Sequence, residues 1–573
     1  MAQTASVSVA FLGSGGAGVL TIGGLLLEAA CSVGWNGLLT RSVGPQIRGG
    51  EAAALVRLAA EPVECHSGHF DLLLAIDWEN ANRFENEIAL DPDSLVIGDP
   101  KGGSAPPSLV GPGVRRIELP MTDLCKANLL WRPNMLALGA AAQLLGLRGD
   151  ALARLLEKRF GAKGTAIVAA NLAATRAGAE AVAGQVLTHR LAPPRSASQR
   201  WLITGNEAVG LGAIRGGVRF AAAYPITPAT EILEWLAPAL AKVGGTLLQA
   251  EDELASVNMI IGGSYGGAPS LTATSGPGLS LMLEAIGLAT AAEIPIVVVD
   301  VMRGGPSTGI PTKSEQADLN TAIYGPHGDA PHLVLAPQSV PDCLLTTQWA
   351  TFLAESLQAP AIVLSDQFLG QAQAAIARPA DLAFIGERLK ATAIAAPYRR
   401  YALGGAGVSP MAIPGMEGGQ YAAEGLTHTE KGLPTSGARD HAAQLDKRRD
   451  KLERYHFGDL WATVEGDGDT AVLTWGSLTG VAREAVVAVR DAGTQVRLIA
   501  PRLLLPARPP EMQRALAGVT RLLVVEQSHG AQFHKYLRAN YDLPVDTRVL
   551  HRPGPLTIRP AEIRDALLAR NSA

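Results

Sequence analysis

The chain has 573 residues, 47% hydrophobic and 18% charged, a balance that fits a globular protein rather than a disordered or fibrous one, at a length beyond what one hydrophobic core organises. Its formal net charge of −4 carries no global basic excess and argues against a nucleic-acid-binding surface. The N-terminal stretch MAQTASVSVAFLGSGGAGVL lacks the basic flank of a secretory signal and no apolar run is long enough to cross a bilayer, so a cytoplasmic protein is expected.

In chain order, Val7–Leu12 reads as a strand, Gly13-Ser14-Gly15-Gly16-Ala17-Gly18 as a glycine turn and Val19–Cys31 as a helix of small residues. Buried strands are expected at Asp71–Ile76 and Ser94–Ile97, with helices near Asn134–Leu147 and Asp150–Phe160. This alternation predicts an α/β layer fold. Residues 191–200, rich in proline and small polar residues, read as a linker. A second α/β domain follows from Trp201, with strands at Arg219–Tyr224, Ser270–Thr274, Ile296–Asp300 and Ala361–Ser365. Glycines, prolines and charges gather over residues 381–464, which predicts an extended arm and then a charged helix through Asp446–Arg454. Such mixed-sign runs read as a solvated face or a partner-docking surface. A last α/β unit has strands at Thr470–Trp475, Gln495–Ile499 and Arg521–Glu526.

Cys31, Cys65, Cys125 and Cys343 form no CxxC pair, so buried free thiols are expected and any redox metal belongs on another chain. Cys65-His66-Ser67-Gly68-His69 carries metal-ligand residue types but no partner pair. Gly13, Gly15 and Gly18 fit the GxGxxG pattern of dinucleotide sites, yet Gly34–Arg41 holds no carboxylate for a ribose. Tight strand–helix packing is therefore preferred to a nicotinamide dehydrogenase. Arg41 and Arg48 sit in a glycine-rich loop where Arg48 could face an anion.

Three stretches of the second domain stand out: Tyr224-Pro225-Ile226-Thr227-Pro228, Glu251-Asp252-Glu253 and Thr274-Ser275-Gly276-Pro277-Gly278. Singly they read as a proline turn with Thr227 capping a helix, acids favoured by a helix dipole, and a tight strand-to-helix turn. Together they mark successive strand ends, the edge on which α/β sheets bind ligands.

These stretches, with Arg303-Gly304-Gly305-Pro306-Ser307-Thr308-Gly309, Pro311-Thr312-Lys313, Gly325–Asp329, Arg400–Leu403 and Ile413–Gly415, resemble the 2-oxoacid:ferredoxin oxidoreductases over nearly the whole chain. The resemblance implies a multidomain α/β chain: a gamma domain at 1–190, a linker at 191–200, a thiamine-diphosphate pyrimidine-binding domain at 201–380, the arm and charged helix at 381–464, and a transketolase C-terminal-like domain at 465–573. It implies oxidative decarboxylation of a 2-oxoacid to the acyl-CoA and carbon dioxide with reduction of ferredoxin, or the reverse. 2-Oxoglutarate is the expected substrate, with pyruvate and branched-chain or aryl 2-oxoacids as alternatives. Coenzyme A is the co-substrate.

By the same resemblance Glu253, with Glu251 as the alternative one short register slip away, contacts the aminopyrimidine nitrogen of thiamine diphosphate. Thr227 and Arg303 hold the substrate 1-carboxylate, as a hydroxyl and a planar two-donor cation would. Arg48 is the candidate for a second carboxylate. Tyr224, Pro225, Ile226, Ser275, Gly276 and Pro277 line the coenzyme. The one Gly-Asp-Gly, Gly466–Gly468, is followed by no asparagine over Ala492–Arg497 and reads as a surface turn. The diphosphate-binding Mg2+ and a four-iron four-sulfur cluster are thus expected on a beta subunit, in an (alpha-beta)2 heterotetramer. Glu526–Gln532 reads as a helix-starting turn, or as an interface or coenzyme A contact.

Overall fold

The computed structural model describes residues 2–44, 50–194, 200–394 and 397–569; Arg48 and residues 195–199 of the expected linker lie outside these. The chain divides into two compact units, residues 1–204 with 371–380 and 556–561, and residues 205–370, 381–555 and 562–573. No helix among the described residues is long and apolar enough to cross a membrane.

The first unit is built on an eight-stranded sheet, in the order Arg115–Glu118, Leu95–Gly98, Leu72–Ala75, Ser6–Ser14, Glu51–Ala59, Asn36–Val43, Gln373–Ile376 and Trp201–Thr204. Ser6–Ser14 is buried along its length because it lies between a parallel and an antiparallel neighbour. Glu51–Ala59 is buried at every residue. The pairing of Glu51–Ala59 with both Ser6–Ser14 and Asn36–Val43 is antiparallel. Trp201–Thr204, expected to open the second domain, instead closes this sheet by pairing with Gln373–Ile376.

The second unit carries a seven-stranded sheet, in the order Thr246–Gln249, Phe220–Ala223, Ser270–Thr274, Val297–Met302, Ala361–Asp366, Leu333–Leu335 and Leu503–Leu505. All are parallel except the last, which joins antiparallel. Successive strands step first to one side of Phe220–Ala223 and then to the other, so a switch point falls between Phe220–Ala223 and Ser270–Thr274. A five-stranded sheet, Ala462–Glu465, Arg497–Pro501, Thr470–Leu473, Arg521–Glu526 and Asp546–His551, forms the C-terminal part. The Gly-Asp-Gly turn is on the surface, with the Asp467 side chain 98% exposed.

The charged helix, Ala438–Glu453, keeps Asp446, Arg449 and Glu453 exposed, as a solvated face would, but buries its other side. Gln444, Lys447, Arg448, Lys451 and Leu452 are all buried. Lys447 and Lys451 reach the fully buried Glu293 at 2.8 and 3.1 Å, and Arg400 donates to the Glu293 carbonyl at 2.8 Å. Burial alone would raise Glu293, but Lys451, Lys447 and Arg400 outweigh it and hold the carboxyl at about 2. Burial takes Lys451 the other way, down to about 8. A second buried pair anchors the start of the arm: Arg388 grips Glu355 through two hydrogen bonds of 2.7 Å.

Removing one member of such a network leaves an uncompensated buried charge. Glu293→Gln is expected to cost about 3–5 kcal/mol in chemical denaturation. Because the folded carboxyl titrates near 2 instead of its ordinary 4.5, its contribution is complete above that ordinary value and is lost as pH falls from 4.5 toward 2. Acid unfolding of Glu293→Gln should accordingly show a shallower loss of stability across that window.

Candidate active site

Four sequence-predicted residues converge on the C-terminal edge of the seven-stranded sheet. Thr227, Glu253, Ser275 and Arg303 each follow, within a few residues, the end of one of four adjacent parallel strands. Across this edge Arg303 Nη1 donates to the Thr227 carbonyl at 2.5 Å, tying the first strand end to the fourth over the Ser275 turn between them. Arg303 is 7% exposed and its Nε has no partner. Burial pulls the guanidinium below its ordinary pKa, opposed by Asp318 and Asp300.

Thr227 is exposed and does not cap the following helix as expected. That helix, Thr230–Lys242, starts from Ala229 with no side-chain cap, and the carbonyl of Ile226 takes up the amides of Ala229 and Thr230. Tyr224 stands 40% exposed at the rim. The Thr227 hydroxyl is thus left for other work.

The acidic run separates by role. Asp252 caps the helix Glu253–Tyr265 by accepting from the Ala255 amide at 2.7 Å. Glu251 is exposed, whereas Glu253 is 8% exposed and lies against Gly278. A Cβ at Gly278 would fall 2.0 Å from the Thr274 hydroxyl and 2.8 Å from Glu253 Oε1, so only glycine lets the turn approach this carboxylate. Ser275 precedes the helix Gly276–Ala291, which has Pro277 in its first turn. The buried hydroxyls of Thr272 and Ser275 have no partner. A buried carboxylate beside a small-residue turn, with orphaned hydroxyls alongside, fits a heteroaromatic ring bearing polar edges.

Sequence reasoning missed two acids here. Asp300 is fully buried and neither carboxyl oxygen has a hydrogen-bond partner. Asp318 lies against Gly276, where a Cβ would meet both its oxygens at 2.7 Å. Burial, reinforced by Asp318, pushes Asp300 well above the carboxylate range, and burial lifts Asp318 to about 6. The legible signal was an aspartate inside the otherwise apolar strand Val297–Met302.

The Glu526–Gln532 turn starts the helix Gln532–Asn540. Glu526 accepts from the amides of Phe533 and His534, both at 2.9 Å. Gln527 exchanges hydrogen bonds with Gln316, and Gln532 bonds to Ala317 and Asn320. This turn therefore docks the C-terminal part on the segment leading to Asp318.

The glycine loop of the first unit packs tightly. A Cβ on Gly18, whose φ is +83°, would fall 2.2 Å from Asn134 Nδ2. Asp77 accepts from the Ser14 amide at 2.9 Å, placing a carboxylate where a pyrophosphate would approach. The four cysteines are free thiols; Cys31, Cys65 and Cys343 are buried, and Cys125 is partly so.

The chain is similar to several known proteins. Residues 211–447 match the family profile described as pyruvate flavodoxin/ferredoxin oxidoreductase, thiamine diphosphate-binding, and residues 8–181 match that of pyruvate ferredoxin/flavodoxin oxidoreductase. The 2-oxoglutarate synthase subunit KorA of Methanothermobacter marburgensis is 36% identical, over 65% of this chain and 99% of its own length. The alpha subunit of 2-oxoacid:ferredoxin oxidoreductase 2 of Aeropyrum pernix is 32% identical, over 76% of this chain and 73% of its own. A solved structure, 2-oxoglutarate:ferredoxin oxidoreductase of Magnetococcus marinus with 2-oxoglutarate, coenzyme A and succinyl-CoA bound, superposes with a TM-score of 0.91 at 36% identity, covering 98% of this chain and 99% of that one. Matched by both family profiles and, in fold, over 98% of its length, this protein belongs to the 2-oxoacid:ferredoxin oxidoreductase family of enzymes.

Proposed function

We propose that this chain is the fused gamma and alpha subunit of a 2-oxoglutarate:ferredoxin oxidoreductase, which forms succinyl-CoA and carbon dioxide or runs in reverse. The observation that carries the reading is the convergence of Glu253, Ser275, Thr227 and Arg303 on one sheet edge, in a chain whose fold matches a structure holding 2-oxoglutarate and coenzyme A. The proposed domains are the gamma domain (1–190), the pyrimidine-binding domain (201–380), and the transketolase C-terminal-like domain (465–573). A cytoplasmic setting is in keeping with the described helices.

When bound, thiamine diphosphate supplies the nucleophilic carbon and the electron sink for decarboxylating a 2-oxoacid. Glu253, buried where Glu251 is exposed, is the carboxylate that would hold the aminopyrimidine nitrogen and keep its proton in place. Tyr224, Pro225, Ile226, Ser275, Gly276 and Pro277 would bound the ring, the Ser275 hydroxyl offering an unused polar contact. Arg303 and the Thr227 hydroxyl would receive the substrate 1-carboxylate; its partial burial makes the guanidinium a stronger partner for an anion than a solvated one. Arg48 is the proposed cation for the distal carboxylate.

A beta subunit would bring the Mg2+-held diphosphate site and the four-iron four-sulfur cluster that delivers electrons to ferredoxin, in an (alpha-beta)2 heterotetramer. Leu248, Leu254, Met259 and Leu281 are 41–51% exposed on the elements that build the site, an apolar surface suited to a permanent partner.

Co-purified with its beta chain, the protein should reduce a viologen dye with coenzyme A and 2-oxoglutarate; a preference for pyruvate or an aryl 2-oxoacid would overturn the substrate assignment. In that assay Glu253→Gln should lower kcat by roughly 10²- to 10⁴-fold, and Glu251→Gln should leave it near wild type. Loss of the charged hydrogen bond in Arg303→Ala should raise KM for the 2-oxoacid roughly 10- to 100-fold. Near-normal turnover in both Glu253→Gln and Arg303→Ala would remove this edge as the catalytic site.

A further inference from the structure

His69, Asp71 and His189 come together within the first unit. Among the described residues they are the one group whose ligand atoms, one from each, all lie within 4.8 Å of one another. His189 Nδ1 is 3.0 Å and His69 Nε2 3.6 Å from the same oxygen, Asp71 Oδ1. Two ligand atoms about 2.0–2.1 Å from a tetrahedral ion stand roughly 3.3 Å apart, so the two separations bracket what a shared metal requires. Asp91 Oδ2 lies 4.0 Å from His69 Nε2 and stands outside this group.

The local structure prepares these groups. Asp71 immediately precedes the strand Leu72–Ala75, and its Oδ2 accepts from the Ser8 amide at 2.8 Å. That bond fixes the carboxylate so that Oδ1 faces the two imidazoles. The Ser67 hydroxyl donates to the His69 carbonyl at 2.6 Å. Ser94, just before the neighbouring parallel strand Leu95–Gly98, receives the Asp91 amide at 3.0 Å and donates to the Phe70 carbonyl at 2.7 Å. His189 opens the strand His189–Leu191, and its neighbour Thr188 donates to the Asp93 carbonyl at 3.1 Å. Three chain segments are thus held in register by bonds outside the cluster, the supporting shell that metal ligands need.

We propose that His69, Asp71 and His189 form a three-residue binding site for a divalent transition-metal ion of the zinc class. Two imidazoles and carboxylate oxygens favour zinc, cobalt or nickel over magnesium or calcium, which take all-oxygen shells. The Asp71 side chain is buried while the His69 and His189 side chains are 39% and 32% exposed, so the ion can enter from solvent and keep water in its remaining positions. Its role would be to clamp the His189 segment to the edge where the strands at Leu72 and Leu95 begin.

The test uses the full chain, freed of metal with a chelator and titrated with Co2+ alone. One Co2+ per chain is expected, bound with Kd below about 10 µM, with visible d–d absorption of nitrogen and oxygen ligation, displaced by Zn2+ and accompanied by a rise in Tm. His69→Gln and His189→Gln, each checked for native circular dichroism, should weaken binding at least about tenfold. If His189→Gln fails to fold, the exposed His69→Gln carries the comparison. No saturable binding, a thiolate-to-cobalt charge-transfer band, or unchanged affinity in His69→Gln would each overturn the site and leave the cluster as an imidazole–carboxylate tether.

Discussion

A carboxylate sealed from solvent holds the second unit in its working arrangement. Glu293 has two lysines and the reach of an arginine around it, supplied by the arm and by the helix Ala438–Glu453. Charges taken this far out of water are tolerated only as a complete set, because any member left alone has no counter-charge and no solvent. The arm therefore has one acceptable seat, and the Arg388–Glu355 pair fixes its near end in the same manner. Neither contact touches the proposed site. Both constrain the scaffold from which its strands and turns project.

On that scaffold the chemistry of the edge follows from sheet topology. The strands step to either side of Phe220–Ala223, and four strand ends place a hydroxyl, a buried carboxylate, a glycine turn and a guanidinium along one edge. Arg303 sits near Asp318, Asp300 and the Thr227 carbonyl, and the two aspartates oppose the downward pull of burial on its pKa. Burial, and after it the neighbouring Asp318, raise the Asp300 pKa well above the carboxylate range.

Much of this was legible in the sequence. The strands Ser270–Thr274 and Arg521–Glu526 were placed to the residue, because short β-rich runs between turn signals leave little choice. Glu51–Ala59 was not seen as a strand: it is buried at every position and rich in alanine, so no alternation betrays it. The buried face of Ala438–Glu453 was written at helical spacing, in Gln444, Lys447, Arg448, Lys451 and Leu452, but long charged side chains at those positions imitate a solvent face. The turn Thr274–Gly278 and its proximity to Glu253 could be inferred from order along the chain, whereas the Asp318 contact with Gly276 depends on how a later loop folds back. His69 and His189 lie too far apart in sequence for spacing to join them.

The pairing of Trp201–Thr204 with Gln373–Ile376, and of the latter with Asn36–Val43, bears on how such a chain could be divided. A gene cut in the proline-rich stretch before Trp201 would part the first sheet from two of its own strands. Asn36–Val43 would then present a bare hydrogen-bonding margin, the kind of edge that invites aggregation. For this architecture, separate gamma and alpha polypeptides would need either a shorter sheet with a protected margin or strands lent from one chain to the other. Fusion here is part of the fabric of the sheet, beyond mere tethering.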